Sequence, residues 1–207
     1  MDSIRAAITS GEYAPNQRLV ETELAEQFGV SRPSVRNALL HLVGEGLVER
    51  IQNRGARVRA VSLPEAIEIT EVRMALEGLC AAKAAERATP EDHSALREIG
   101  QRMRDAVASG DVLGYSELNK RLHARIVALS GQDTARAVIE RLRLQNLRHQ
   151  FRLAMHPGRA SVSLPEHMAI IDAVCAADPR AAEAAMRTHL HSVIDTLPEV
   201  DKNLKRY

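Results

Sequence analysis

The 207-residue chain contains no tryptophan, and aromatic residues make up only 2% of it. It has two cysteines, Cys80 and Cys175, whose wide separation fits neither a metal-binding nor a redox motif. Because aromatic and β-branched residues favour strands, whereas alanine favours helices, this composition predicts a mainly helical protein. The cysteines are expected to stay reduced, as they do in a cytosol.

Long apolar runs are missing as well. The chain has no stretch of about 18 apolar residues, so we expect no membrane span. No signal peptide is visible at the start of the sequence. These absences predict a cytoplasmic protein. The net charge is only +1, so any preference for a charged partner must come from how the charges are distributed along the chain.

The pattern in residues 24–39 is typical of a helix-turn-helix. Apolar side chains recur on one face of a first short helix, and Gly29 ends that helix because glycine accepts a positive φ. Ser31 is a suitable N-cap for a second helix. Arg32 and Arg36 lie one turn apart on this second helix, away from its apolar stripe. An arginine at that place can contact base edges or phosphates in the major groove.

A basic hairpin is predicted directly after this second helix. Residues 47–51 and 56–61 are typical of two short strands joined by a glycine-containing turn, and a hairpin after a helix-turn-helix is a wing. The residues predicted to contact DNA are Ser31, Arg32, Ser34, Arg36, Asn37, Asn53, Arg54 and Gly55.

Charge is segregated in this part of the chain. Residues 31–60 contain six arginines and two glutamates, a net charge of +4, whereas residues 1–30 contain two arginines and five acidic residues, a net charge of −3. The positive charge is thus concentrated on the second helix and the wing, where phosphates would meet it. A helix-turn-helix can also serve packing alone, but this segregation favours DNA binding.

No strand pattern appears after the wing. Six helical segments are predicted, at 64–88, 90–109, 111–130, 133–155, 163–177 and 179–196, and they form an antiparallel bundle. The predicted organisation is a winged helix-turn-helix domain at 1–62, a helical domain at 63–198 and a tail at 199–207.

Four residues of this bundle match the pattern of a metal site. Asn119 and His123 lie four positions apart and share one helix face, and His167 and His189 lie among apolar neighbours on the last two helices. Three imidazoles and an oxygen donor suit a divalent transition metal such as Zn or Ni. On spacing alone, each histidine could instead be an ordinary hydrogen-bonded residue, and both interpretations remain open.

Residues 4–61 resemble the winged helix of the GntR family of bacterial transcription regulators. The matching residues include Ile8, Gly11, Pro15, Leu19, Glu23 to Ala25, Gly29 to Arg32, Val35, Arg36, Ala38, Leu39, Leu42, Gly46 to Val48 and Gly55. Asn16 replaces the glycine that usually follows the proline, but asparagine also tolerates the left-handed conformation. The order Pro33-Ser34 replaces the family's Thr-Pro, so the hydroxyl lies one residue later than in the family pattern.

Several segments of the helical domain match one known domain: Arg73 to Glu77, Leu122-His123, Ala128 to Gly131, Glu166-His167 and Met186 to Leu190. Through them, residues 66–195 resemble the FCD domain of the FadR subfamily, and a count of six helices rather than seven is similar to its VanR-type branch. This resemblance implies a metal held by Asn119, His123, His167 and His189. Asn119 stands where the family has aspartate, and its neutral amide should weaken the site. The resemblance also implies a small carboxylate effector, with Arg73 and Arg148 as its candidate binding residues. The simpler alternative for Arg73 is an ion pair with Glu77 on a helix surface.

The resemblance therefore implies a homodimeric transcription regulator, most often a repressor, that binds a pseudo-palindromic DNA operator and responds to a small carboxylate. In one alternative, the helical domain serves only dimerisation. In another, it is a metal-dependent enzyme, although the sequence has no His-Glu-x-x-His motif and no evident nucleophile–base pair.

Overall fold

A computed structural model of the chain describes residues 2–51 and 55–204, without the side chains of residues 202–204. The chain divides into two compact units. The N-terminal unit contains the chain up to Ser62 together with Arg141–Leu147, and the helical unit contains Leu63–Glu140 and the chain from Arg148 onward.

The N-terminal unit combines short helices with a small sheet. Its elements are α1 (Asp2–Thr9), β1 (Arg18–Leu19), α2 (Glu21–Phe28), α3 (Arg32–Gly44), β2 (Val48–Ile51) and β3 (Gly55–Val58). The sheet is antiparallel with the order β1-β3-β2. The predicted winged helix-turn-helix is therefore confirmed. The strands are shorter than predicted, and β1 was not predicted, because two residues are too few to produce an alternating pattern.

Local chemistry sets the position of α3. Ser31 has extended backbone angles, and its hydroxyl accepts a hydrogen bond from the amide of Ser34, as expected of an N-cap. Gly29, at the C-terminal end of α2, takes the left-handed conformation with φ of 63°. Asn16 takes it too, at φ of 65°, so the turn tolerates asparagine as expected. The buried side chains of α3 are Val35, Ala38, Leu39 and Leu42.

The helices that follow in the chain belong to the helical unit, except for Arg141–Leu147 at the junction of α7 and α8. They are α4 (Leu63–Arg87), α5 (Pro90–Ser109), α6 (Val112–Ser130), α7 (Asp133–Gln145), α8 (Leu147–Ala154), α9 (Arg159–Cys175) and α10 (Pro179–Leu204). Within this unit, α10 packs mainly against α4 and α9, and α6 packs against α4 and α5. Capping signals account for several ends, since Thr89 and Asp92 form a capping box at α5 and Asp111 caps α6.

Three predictions for this unit were wrong. The segment 133–155 is two helices separated at Asn146, so the described residues contain seven helices here rather than six, and the count that suggested the VanR-type branch does not hold. Helix α9 begins at Arg159 rather than 163, which moves Pro165 from the first turn to the interior of the helix. Helix α10 continues through Pro198. Helix-breaking residues mark probable rather than obligatory ends, because packing can override local preference.

The core of the helical unit is aliphatic and rich in alanine. Its most buried members include Ala84, Leu96, Leu122, Ile126 and Ile170. None of the helices in the described part of the chain is both long and apolar enough to span a bilayer. The interior of this unit is not wholly apolar. Several polar and charged side chains of α4, α6, α9 and α10 are also buried.

Candidate DNA interface and metal centre

The N-terminal end of α3 presents polar side chains to solvent. Ser31, Arg32, Ser34, Arg36 and Asn37 are all exposed. Each of the five is therefore accessible for a contact with DNA. Of the predicted wing residues, Asn53 and Arg54 lie outside the described residues. Gly55 begins β3 with φ of 90°, a conformation that favours glycine.

Arg36 is held by a carboxylate of the neighbouring helix. Its Nε and Nη2 donate to the two oxygens of Glu21 at 3.0 and 2.7 Å, which is the bidentate geometry that best matches the two groups. This hydrogen bonding, with further attraction from Arg32 and Arg50, lowers the pKa of Glu21. Arg36 nevertheless remains 53% exposed, so the pair lies at the surface.

The structure adds two basic residues to this surface. Arg18 on β1 and Arg50 on β2 are exposed and line one cleft with Glu21 and Arg36. Arg18 was not among the predicted contact residues, because its two-residue strand was not predicted. Arg50 was counted only in the charge of the wing. The cleft has a net positive charge, because three arginines and one glutamate line it. A positively charged surface attracts phosphate.

Three histidines of the helical unit converge. His123 on α6, His167 on α9 and His189 on α10 are all buried, and one potential ligand nitrogen of each lies within 4.8 Å of the others. The ring centroids of His167 and His189 are 4.3 Å apart. The sequence-predicted histidines are thus brought together, from three separate helices, in an arrangement that can hold one metal ion.

Each imidazole is oriented by a different oxygen. His123 Nδ1 lies 2.6 Å from Glu77 Oε2, and His189 Nδ1 lies 2.8 Å from Glu166 Oε2. His167 Nδ1 lies 2.8 Å from the hydroxyl of Tyr115. The carboxylates of Glu77 and Glu166 accept hydrogen bonds, so Nδ1 of His123 and of His189 carries the proton and Nε2 keeps the lone pair that can bind a metal, which is how metal-binding histidines are usually supported.

Burial disfavours a positive charge on two of the three rings. Burial, reinforced by the neighbouring histidines and Arg159, lowers the pKa of His167 well below its usual value. Burial also lowers the pKa of His189, although Glu166 opposes that change. Burial raises the pKa of Tyr115, so its phenol keeps its proton. Neutral imidazole is the form that coordinates a metal.

Two buried polar atoms of the predicted metal ligands have no hydrogen-bond partner among the described residues. They are His167 Nε2 and Asn119 Oδ1. Unsatisfied buried polar atoms are rare in proteins and call for an explanation such as an ion. Asn119 is four positions before His123 on α6, so it can supply the oxygen donor of the set. The side chains therefore fit a divalent transition metal.

Two hydrogen-bonded series lead to this centre, and each consists of an arginine, a glutamate and one of the three histidines. Arg73 binds Oε1 of Glu77 through Nε at 2.9 Å and Nη2 at 2.7 Å, and the other oxygen of Glu77 meets His123. The expected ion pair of Arg73 and Glu77 therefore exists, but it is buried rather than on the helix surface.

The second series of hydrogen bonds joins Arg159, Glu166 and His189. Arg159 Nη2 lies 3.4 Å from Glu166 Oε2, and its Nη1 donates to the hydroxyls of Ser192 at 2.8 Å and Thr196 at 3.4 Å. Burial opposes ionisation of Glu166, but hydrogen bonds from His189 and Ser192 bring its pKa below the usual value.

Sequence reasoning missed Arg159 because the predicted helix began after it. A buried arginine is uncommon, so it is a better candidate for anion binding than Arg148, which is exposed on α8. The role of Glu166 was also missed, since its partner His189 lies on another helix. Glu166 precedes His167 in sequence, and adjacent positions of a helix point in different directions.

Comparison with known proteins places both units. Residues 1–58 match the family described as bacterial regulatory proteins, gntR family, and residues 68–192 match the FCD domain. A putative L-lactate dehydrogenase operon regulatory protein of Escherichia coli is 30% identical over 100% of this chain and 88% of its own length. The HTH-type transcriptional repressor RspR of Escherichia coli is 26% identical over 95% of this chain and 86% of its own length.

A solved structure agrees with the fold. Escherichia coli McbR/YncC has a TM-score of 0.77 and 24% identity, with 96% of this chain and 94% of that chain covered. The relatives named here are regulators, which decides against the alternative of a metal-dependent enzyme.

Proposed function

The chain belongs to the GntR family of bacterial transcription regulators with an FCD domain, and we propose that it is a cytoplasmic, homodimeric repressor released by a small carboxylate effector. Two winged helices would bind a pseudo-palindromic operator, with the recognition helices about one turn of DNA, ~34 Å, apart. One relative is named a transcriptional repressor, which favours repression over activation.

For the DNA-binding function, the supporting observation is the exposed, capped N-terminus of α3. Arg32 and Arg36 there would carry most base and phosphate contacts, with Ser31, Ser34 and Asn37 beside them. Arg18 and Arg50 would add phosphate contacts from the cleft. Gly55 would allow close approach of the wing to the minor groove, with Asn53 or Arg54 contributing.

For the effector function, the supporting observation is the centre of three oriented histidines. We propose that His123, His167 and His189, with Asn119, hold a divalent transition metal such as Zn or Ni. Such an ion supplies positive charge and open coordination positions for a carboxylate. Both buried arginines would assist the binding of the anion. Arg73 would do so indirectly, by holding Glu77 against His123, whereas the guanidinium of Arg159 would contact the anion itself.

The effector would change operator affinity by shifting the orientation of the two DNA-binding domains. It can do so only to the extent that its own affinity differs between the orientation that binds DNA and the one that does not. A purely dimerising helical domain would have no need of three buried imidazoles directed at one point. That geometry is the reason to prefer an effector-binding regulator over a DNA-binding protein with a structural bundle.

An anisotropy titration tests this function. The probe is a labelled duplex from the DNA that flanks the gene, titrated with protein alone and with Zn²⁺ plus each of a panel of small carboxylates. We expect tighter binding to this duplex than to an unrelated one, and weaker binding with at least one carboxylate. Equal affinity for both duplexes under every condition would contradict the proposal.

A further inference from the structure

We propose that Glu21 is a specificity-determining residue, which holds the guanidinium of Arg36 so that the opposite edge of that group hydrogen-bonds to a guanine rather than to a phosphate. This inference rests on the proposed DNA-binding function and adds a residue that need not touch DNA itself. The observation behind it is that the carboxylate of Glu21 occupies only one edge of the guanidinium.

The guanidinium of Arg36 keeps a second edge for a partner. Glu21 accepts hydrogen bonds from Nε and Nη2, which uses two of the five N–H bonds of this group. In the part of the chain that the structure describes, the other three have no acceptor. One N–H on Nη1 and one on Nη2 point in parallel away from the carboxylate, so they can bind a second partner with two acceptors.

The carboxylate also changes which partner this second edge prefers. The pair of Arg36 and Glu21 has no net charge, so it attracts a phosphate less than an unpaired arginine does. A phosphate that approached Arg36 would in addition be repelled by the nearby carboxylate. The edge of a base is neutral and needs only correctly directed N–H donors, which the pair retains. The pair therefore favours a base over a phosphate.

Guanine is the base that matches two parallel donors. Its O6 and N7 both accept hydrogen bonds in the major groove, whereas adenine presents one acceptor and one donor there. Arg36 lies one turn after the first residue of α3, and the N-terminal part of a recognition helix is the part that reaches base edges. An Arg36 held in this orientation should therefore discriminate between guanine and adenine.

Glu21 can hold Arg36 because its own position is well defined. It is the first residue of α2, and the buried Leu24 anchors the same turn of that helix. Hydrogen bonding with Arg36 lowers the pKa of Glu21, so the carboxylate is charged at neutral pH. Arg36 thus gives up less conformational freedom on meeting a base than an unsupported arginine would.

The test is the base preference of the full-length chain, obtained by sequencing the duplexes that it retains from a randomised pool. We expect at least one guanine preference that disappears in Arg36→Ala, which identifies the position that Arg36 contacts. Glu21→Gln should reduce the preference for guanine at that same position on the order of 10-fold, because an amide offers one acceptor and one donor and cannot hold both nitrogens. The preferences at other positions should remain.

The matched control is Glu26→Gln, which removes the same charge from an exposed position of α2 and should keep every preference. The pair lies at the surface, so neither Glu21→Gln nor Arg36→Ala should disturb the fold. A guanine preference that survives in Glu21→Gln, or a loss spread evenly over all positions, would overturn this inference while leaving the DNA-binding function in place. The same conclusion follows if Arg36→Ala abolishes no preference. An unmodified chain that enriches no sequence would contradict sequence-specific DNA binding itself, and this inference with it.

Discussion

The two units contain the same pair of side chains in opposite environments. In the N-terminal unit, Arg36 and Glu21 form a bidentate pair with exposed fractions of 53% and 27%. In the helical unit, Arg73 and Glu77 form a pair with exposed fractions of 6% and 0%. Both pairs have short contacts, and contact distance alone does not distinguish them.

Solvent decides what each pair can do. The exposed pair is screened by water and salt, so Arg36 can exchange a carboxylate for a phosphate or a base at small cost. The buried pair cannot separate without leaving a charge in the interior. We therefore regard Arg36 as a residue available to a partner, and Arg73 as a fixed support that orients His123 through Glu77.

The largest effect is expected at the centre of the helical unit. The double variant His123→Ala with His167→Ala removes two of the three imidazoles, so bound metal measured by elemental analysis of purified protein should be lost. His191→Ala is the control, because His191 is exposed on α10 and should leave the metal content unchanged. Circular dichroism establishes that the double variant remains folded. A folded double variant with undiminished metal would place the site elsewhere.

The second-largest effect is expected at the buried ion pair of Arg73 and Glu77. Arg73→Ala leaves Glu77 buried without its guanidinium, which typically costs about 3–5 kcal/mol of folding stability, to be measured by urea denaturation followed by circular dichroism. Lys83→Ala removes half of an exposed pair with Glu86 on the same helix and should change stability by less than about 1 kcal/mol. Similar losses in the two variants would mean that burial does not distinguish the pairs.

A smaller effect is expected at the DNA-binding surface. Arg32→Ala should weaken binding to the flanking-DNA duplex by about 1–3 kcal/mol without loss of folding stability. Arg104→Ala removes an exposed arginine from α5 and is the control for net charge. If the two variants bind the duplex equally well, the assignment of Arg32 as a DNA contact is wrong.

The smallest change is expected from Glu21→Gln, which releases Arg36 from its carboxylate. Affinity for an unrelated duplex should rise modestly, and the slope of log affinity against log salt should steepen by up to about 0.9 if Arg36 gains a phosphate. Glu26→Gln, at an exposed position of the same helix, controls for the lost charge. Identical slopes in the two variants would show that the pair does not restrain Arg36.

The sequence predicts local features well in this chain. Ser31 caps α3 and Asn16 adopts the left-handed turn. These features depend on capping chemistry and backbone conformation, which short stretches of sequence encode. The three histidines also meet, but their grouping was predicted from the family resemblance, because they lie on three separate helices and spacing alone left it open.

The sequence does not predict which polar contacts are buried. The spacing of Arg73 and Glu77 is the same for a surface pair and for a buried one, so only the packing of α4 distinguishes them. The partners Tyr115–His167 and Glu166–His189 join residues 52 and 23 positions apart, and no periodicity reports such contacts. Arg159 was missed because the predicted helix began at 163, whereas α9 begins at Arg159, directly after Gly158.

The most direct test of the account is the salt dependence of DNA binding by the unmodified chain. Anisotropy titrations with the flanking-DNA duplex between about 50 and 200 mM KCl should give a log affinity that falls linearly with log salt, because the arginines of α3 and the neighbouring cleft displace counterions from phosphates. An affinity that does not change with salt, or no binding to any duplex, would contradict the claim that this cationic surface meets DNA.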